Sequence, residues 1–186
     1  MTSYHREDLA SDLVRAARSL VESEGEPAAT ITRVAAACKV SVAAPYRHFA
    51  HRKELLGAVA ASGFAELADA LGAAAERAAD PGDRLLDAGT AYVEYALAHP
   101  RLFRLMFDAE VRTGQARAGV GAFGTLGEVV TSLSLGVPAD RAVRAAWALA
   151  HGHAMLRVGG MRTFAEGNSS EQIRADLSVL LEGVLR

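Results

Sequence analysis

Apolar residues recur three and four positions apart along nearly the whole chain, a spacing that lines them up on one face of a helix. No segment alternates apolar and polar residues over a β-branched run bounded by turns, as a half-buried strand would. The expected fold class is therefore all-α. Leu9, Leu13, Ala16, Ala17, Leu20 and Val21 define a first helix over Glu7–Ser23 with Gly25 as its stop signal. Two short segments, Ile31–Val40 and Ser41–Phe49, follow, each too brief to be stable unless packed. A long helix over His51–Ala79 is marked by Leu55, Leu56, Val59, Phe64, Leu67 and Leu71 and punctuated by Asp80, Pro81 and Gly82. Further helices are expected over Gly82–Ala98, Pro100–Val111, Ala116–Ser134, Ala139–Met161 and Ser170–Leu185, about nine in all. Asn168 with Glu171, or Ser169 with Gln172, offers a capping box for the last. The Gly-rich stretch Thr113–Phe123 is the weakest.

At 186 residues, 51% hydrophobic and 23% charged, the chain suits a small module joined to a larger helical body and is far from disordered composition. The start lacks a secretory pattern, and no uncharged apolar run approaches the roughly 18 residues of a membrane span. A cytoplasmic protein without a membrane partner is expected. With one cysteine, Cys38, an internal disulfide and a thiolate zinc cluster are excluded, and an inert core thiol is the expectation. His151 and His153 stand two apart on a helix and so point in different directions. No Gly-rich phosphate loop, serine-nucleophile motif or HExxH pattern occurs. No catalytic residue, metal site or cofactor is therefore assigned, and an enzyme is not expected.

The net charge is only −2, yet charge is unevenly spread. Between Pro27 and Lys53 lie Arg33, Lys39, Arg47, Arg52 and Lys53, with no Asp or Glu. Such a patch can face phosphate inside a near-neutral protein, because screening confines the attraction to about 8 Å in physiological salt. Thr30 can cap a helix with Ile31, Val34, Ala35 and Cys38 inside, and Ser41 can cap the next, with Val40 at the corner. The small Ala35 permits close approach of two helices. That leaves Thr32, Arg33, Ser41, Val42, Ala43, Ala44, Tyr46, Arg47 and His48 for the outer surface.

The run TITRVAAACKVSVAAPYRHFAHRKELL, Thr30 to Leu56, resembles the TetR-family motif. Its anchors are Val34-Ala35, Val40-Ser41, Tyr46, His48-Phe49 and Lys53-Glu54-Leu55-Leu56. The resemblance implies a three-helix DNA-binding domain over residues 1–53 and a helical regulatory and dimerisation domain over 54–186. It implies that Ser41–Phe49 is a recognition helix, that Thr32 and Arg33 approach the backbone, that Tyr46 and His48 contact phosphate, and that Lys53 adds a charge at the next helix start. Ala43 and Ala44 are short enough to let a helix approach base edges, and Arg47 can donate to phosphate or guanine. Two residues depart from the pattern: Lys39 stands where the family usually has Gly, and Pro45 sits near the start of the recognition helix.

Downstream, AAWALAHGHAMLRVGGM and HPRLFRLMF resemble the C-terminal domain of a TetR subgroup named for its Trp, His and Gly, here Trp147, His151 and Gly152. An apolar effector site could be lined by Leu102, Phe103, Met106, Phe107, Phe123, Trp147, His151 and Met155, although any of these can be ordinary core. The helix around Ala142–Val158 is apolar nearly all round, and Ile173, Leu177, Leu180, Leu181, Val184 and Leu185 form a second apolar stripe. The resemblance implies that these two helices build a two-fold, four-helix dimer interface. The function it implies is a repressor that binds a pseudo-palindromic duplex operator as a homodimer and is released by a small, largely apolar effector.

Overall fold

The computed structural model describes residues 4–109, 111, 118–133, 138–165 and 168–184. Among them there is no strand. The helices are α1 (Tyr4–Glu24), α2 (Ile31–Ala37), α3 (Arg52–Arg77), α4 (Pro81–Ala98), α5 (Pro100–Phe107), α6 (Ala118–Thr131), α7 (Ala139–Val158), α8 (Arg162–Ala165) and α9 (Ser170–Val184). Single 3-10 turns occupy Glu26–Ala28 and Pro45–Arg47. Of the Gly-rich stretch, the part before residue 118 lies outside the described residues, and the rest forms the start of α6. In the C-terminal stripe Ile173 and Leu177 are buried, while the side chains of Leu180, Leu181, Val184 and Leu185 lie outside the described ones.

The chain divides into two compact units, residues 1–64 with 99–118, and residues 65–98 with 119–186. In the first, α1 buries Leu13, Ala17 and Val21, four residues apart on one face, and packs against α2 and α5. The C-terminal carbonyls of α1, which have no partner within the helix, accept from Arg101: Nη1 lies 2.9 Å from the Glu22 oxygen and also reaches Ser23. Gly25 then breaks the helix with a φ of 95°, a backbone region that other residues adopt only at a cost. Gly63 of α3 is fixed by packing: a Cβ there would come within 2.7 Å of Met106 Sδ and 3.3 Å of Leu102.

In the second unit, α4 packs against α7 and α9. The α4–α9 contact is close enough that a Cβ on Gly89 would stand 3.2 Å from Leu177. Asp80 caps α4, its carboxylate accepting from Gly82 N at 2.8 Å and Asp83 N at 3.3 Å. The Ser169 hydroxyl caps α9 by accepting from Gln172 N at 3.2 Å, one half of the second box expected, while the Gln172 side chain donates to Asp176 at 2.9 Å instead. A buried polar joint holds this unit together. The Arg157 side chain, 1% exposed, donates to the Phe164 carbonyl at 3.0 Å, Asn168 Oδ1 at 2.9 Å and Asp176 at 2.7 Å. One guanidinium thus joins the end of α7 to α8 and α9. By length and composition α3 could cross a membrane, but half of its most apolar window is buried within this chain, as in a core helix.

Candidate nucleic-acid interface and effector site

The geometry of Thr30–Lys53 follows from three local devices. Thr30 caps α2, its hydroxyl oxygen accepting from Arg33 N at 3.3 Å. The helix stops at Ala37, three residues before the expected Val40, in a Schellman arrangement: Val40 N donates to Ala35 O at 3.0 Å and Lys39 N to Ala36 O at 3.1 Å. Lys39 holds the left-handed position with a φ of 56°, the strain its sequence position foretold. At the other end Glu54 N donates to His51 Nδ1 at 3.1 Å and the Glu54 carboxylate accepts from Ala50 N at 2.6 Å. These two bonds start α3 and set Lys53 in its first turn.

Between these ends, the Ser41–Phe49 segment differs from the α-helix expected. It is a turn followed by the 3-10 turn Pro45–Arg47. Pro45 has no N–H to give Ser41, so the Ser41 oxygen accepts instead from Ala44 N at 2.9 Å. The tighter ladder continues with Arg47 N to Ala44 O at 3.1 Å, and only Phe49 N, to Pro45 O at 2.9 Å, makes an α-type bond. Pro45 and Phe49 are buried, whereas Ser41, Val42, Ala43, Tyr46 and Arg47 are exposed, with Val42 at 48% and Tyr46 at 55%. Ala44 and His48 are half-buried, and Thr32, Arg33 and Lys53 are exposed. Every residue assigned to the DNA surface therefore has a route to solvent from one continuous segment.

Its cations differ in what they bond. Arg52 is a strut: it donates to Ala29 O at 2.9 Å and Glu26 O at 2.5 Å and pairs with the Glu26 carboxylate at 2.6 Å. Arg33 makes a bidentate pair with Glu24, at 2.9 and 2.6 Å. The hydrogen bond from Arg33 holds the Glu24 carboxyl below its ordinary range. The side chains of Lys39, Arg47 and Lys53 make no hydrogen bond or ion pair with described residues. Two acids just before the acid-free stretch, Glu24 and Glu26, thus pair with two of its five cations and leave three without an acid partner among the described residues. Cys38 is half-buried beside this surface rather than in the core as expected, because α2 ends before it, and burial pushes its thiol up.

The match to known sequences falls on the same segment: a family model described as "Bacterial regulatory proteins, tetR family" covers residues 13–59, and one described as "Tetracyclin repressor-like, C-terminal domain" covers 85–175. The chain belongs to the TetR family. It is a DNA-binding transcriptional regulator by that membership. The C-terminal match includes Trp147, His151 and Gly152 without naming a Trp–His–Gly subgroup. Among curated proteins none matches. A Rhodococcus sp. RHA1 protein of unknown function is 30% identical with a TM-score of 0.81, each chain covered over 100%. A TetR-family transcriptional regulator from Pectobacterium atrosepticum is 20% identical with a TM-score of 0.72, covering 100% of this chain and 98% of its own. A tetR-family regulatory protein from Rhodococcus RHA1 is 19% identical with a TM-score of 0.68, covering 95% and 96%. The last two speak for the TetR fold.

The eight residues assigned to the effector site fall into two groups. Leu102, Phe103, Met106 and Phe107 lie in the first unit, the first three with no exposed surface. Phe107 packs edge-on against Phe64 at 5.3 Å and lies tilted against Phe103 at 4.9 Å. Phe123, Trp147, His151 and Met155 lie in the second unit. There Trp147 makes edge-to-face contacts with Phe123 at 5.5 Å and with Tyr92 at 5.3 Å. Tyr92 OH lies 3.0 Å from His151 Nδ1. Burial pushes the Tyr92 phenol far above its ordinary range and lowers the His151 imidazole, so both are neutral at pH 7 and share one hydrogen bond. Phe123 and Met155 are 40% and 39% exposed. Tyr92 is the member that sequence reading missed. A buried tyrosine needs a partner for its hydroxyl, and its place in the apolar run AYVEYALA was the available signal. Separately, a groove of about 340 Å³ lies between α3, α4 and α6 of this unit, lined by Glu76, Arg84, Glu128 and Val129 among others. It contains none of the eight.

Proposed function

We propose that the protein is a repressor that binds a pseudo-palindromic operator as a homodimer and leaves it when a small, largely apolar effector binds. The observation that carries the DNA reading is the exposed set Lys39, Arg47 and Lys53, without an acid partner among the described residues, on the same segment as exposed Ser41, Val42, Ala43 and Tyr46. Arg47, Tyr46, His48 and Lys53 contact phosphate and fix the register, with Thr32 and Arg33 on the flanking backbone. Ser41, Val42, Ala43 and Ala44 meet base edges, and the small side chains favour thymine methyls and groove shape over bidentate base bonds. The proposed division of labour is a DNA-binding domain over residues 1–53 and a regulatory body over 54–186.

The effector reading rests on Phe123, Trp147 and His151 with Tyr92: aromatic faces around one neutral polar pair suit an apolar ligand with a single hydrogen-bonding group. Met155 completes the apolar wall in this unit, whereas Leu102, Phe103, Met106 and Phe107 belong to the core of the first unit. The dimer reading is supported by apolar exposure on two helices, Met155 and Leu156 at 39% and 36% on α7 and Val179 at 71% on α9. A two-fold pair would set its DNA-reading turns about 34 Å apart, one helical turn of duplex. A cytoplasmic location follows from acting on DNA.

Selection of genomic fragments by the purified protein tests this reading, followed by effector titration on the selected duplex. Enrichment of two-fold-symmetric sites, released by a ligand that quenches Trp147 fluorescence, is expected. Recovery of random fragments would reject the operator, and unchanged DNA affinity despite proven ligand binding would reject the release.

A further inference from the structure

We propose that Glu24 is a positioning residue for DNA binding, holding the Arg33 guanidinium in a bidentate pair that duplex phosphate must displace. The proposal rests on the DNA reading above. A carboxylate and a phosphate present the same two-oxygen edge to an arginine fork, so Glu24 occupies, at 2.9 and 2.6 Å, the donors a phosphate would take. Both side chains are about half exposed, 46% and 49%, so the pair can open without disturbing the core. Arg33 itself stays anchored, because its backbone N–H is held by the Thr30 cap. Arg52, three bonds deep in backbone carbonyls and Glu26, has no such freedom.

The position of Glu24 argues against a role in stabilising α1. It is the last residue of that helix, whose last turn has no basic residue, and a negative charge there opposes the helix dipole. An exposed ion pair also adds little to folding. Arg33 is its hydrogen-bonded partner and Arg101 a lesser, charge-only one, so its main remaining effect is on the availability of Arg33. In free protein the pair stores the guanidinium in a fixed direction and lowers its attraction for stray anions; on DNA the carboxylate is exchanged for phosphate. Glu24 therefore weakens binding and makes the contribution of Arg33 depend on a well-placed phosphate.

The test is a double-mutant cycle on the full chain, with a labelled mixed-sequence duplex of about 30 base pairs and salt varied over roughly 50–200 mM. Glu24→Gln is expected to bind about two- to fivefold tighter at low salt. The gain should shrink as salt screens the pair and vanish in the Arg33→Ala background, while Arg33→Ala alone lowers the salt slope by about one unit. An equal gain in the Arg33→Ala background would mean a general charge effect and would overturn the proposal. So would unchanged affinity accompanied by a lower melting temperature, the mark of a structural strut. Absence of duplex binding by the parent at low salt would overturn the DNA reading together with this inference.

Discussion

Three arginines of the second unit, Arg144, Arg157 and Arg174, pair with acids of that unit, whereas in the first Lys39, Arg47 and Lys53 are exposed with no acid partner among the described residues. Arg157 joins α7, α8 and α9 from a buried position, and Arg174 bonds Asp87 at 2.9 Å and also Asp83, linking α9 to α4. Arg144 pairs with Asp140 one turn away at 2.8 Å. In the first unit Arg52 plays the same kind of role, but the side chains of Lys39, Arg47 and Lys53 bond no described residue. The lesson is that cation count says little about a nucleic-acid surface. What distinguishes it is which cations lack an internal acid and are presented together.

Removing Arg157 is the severest way to sharpen the contrast. Arg157→Ala leaves Asp176, Asn168 and the Phe164 carbonyl without their shared donor, and a loss of about 3–4 kcal/mol in urea unfolding is expected. Arg47→Ala, by the same measurement, should stay within about 0.5 kcal/mol of the parent. On DNA the order reverses. Arg47→Ala combined with Lys53→Ala is expected to lower duplex affinity about tenfold at low salt and the salt slope by about two units, with the dimer unchanged by light scattering. Equal salt slopes for the double variant and the parent would break the comparison.

Smaller effects come from strain and protonation. Lys39→Gly removes the left-handed penalty and should raise stability by about 1 kcal/mol, read as a higher urea midpoint, while costing one surface charge. The pH dependence should come from the second unit. Burial lowers the imidazoles of His151 and His153 from 6.5, and Arg157 adds to the effect on His153. The unfolded chain therefore takes up protons first as pH falls through 6.5, so stability is full above that value and declines below it. Asp176, which faces His153 with Arg157, pulls the other way and makes this the smallest change. Replacing both histidines by Gln should flatten the melting temperature between about pH 7.5 and 5.5; an unchanged profile would mean that neither is buried neutral.

Much of this was legible in the residues. Three-and-four spacing gave the helices, and Thr30, Gly25 and Ser169 gave their ends, because capping acts over three or four residues. Lys39 and Pro45 were visible as departures, and both act as their chemistry dictates. The switch from helix to 3-10 turn at Ser41–Phe49 was not read, since the rearranged ladder depends on which amide replaces the missing Pro45 donor. Tyr92–His151 and Glu24–Arg33 join residues 59 and 9 apart; no periodicity encodes such pairs. Leu102, Phe103 and Met106 illustrate the same limit from the other side, because an apolar residue reads alike whether it lines a cavity or fills a core.

Hydrogen exchange of the full chain, with and without a saturating duplex, most directly locates the surface left open by unpaired cations. Slowed exchange should appear in peptides covering Thr30–Lys53 and leave α9, from Ser170 to Val184, unchanged. Protection confined to the second unit, with Thr30–Lys53 exchanging at its free rate, would contradict the assignment.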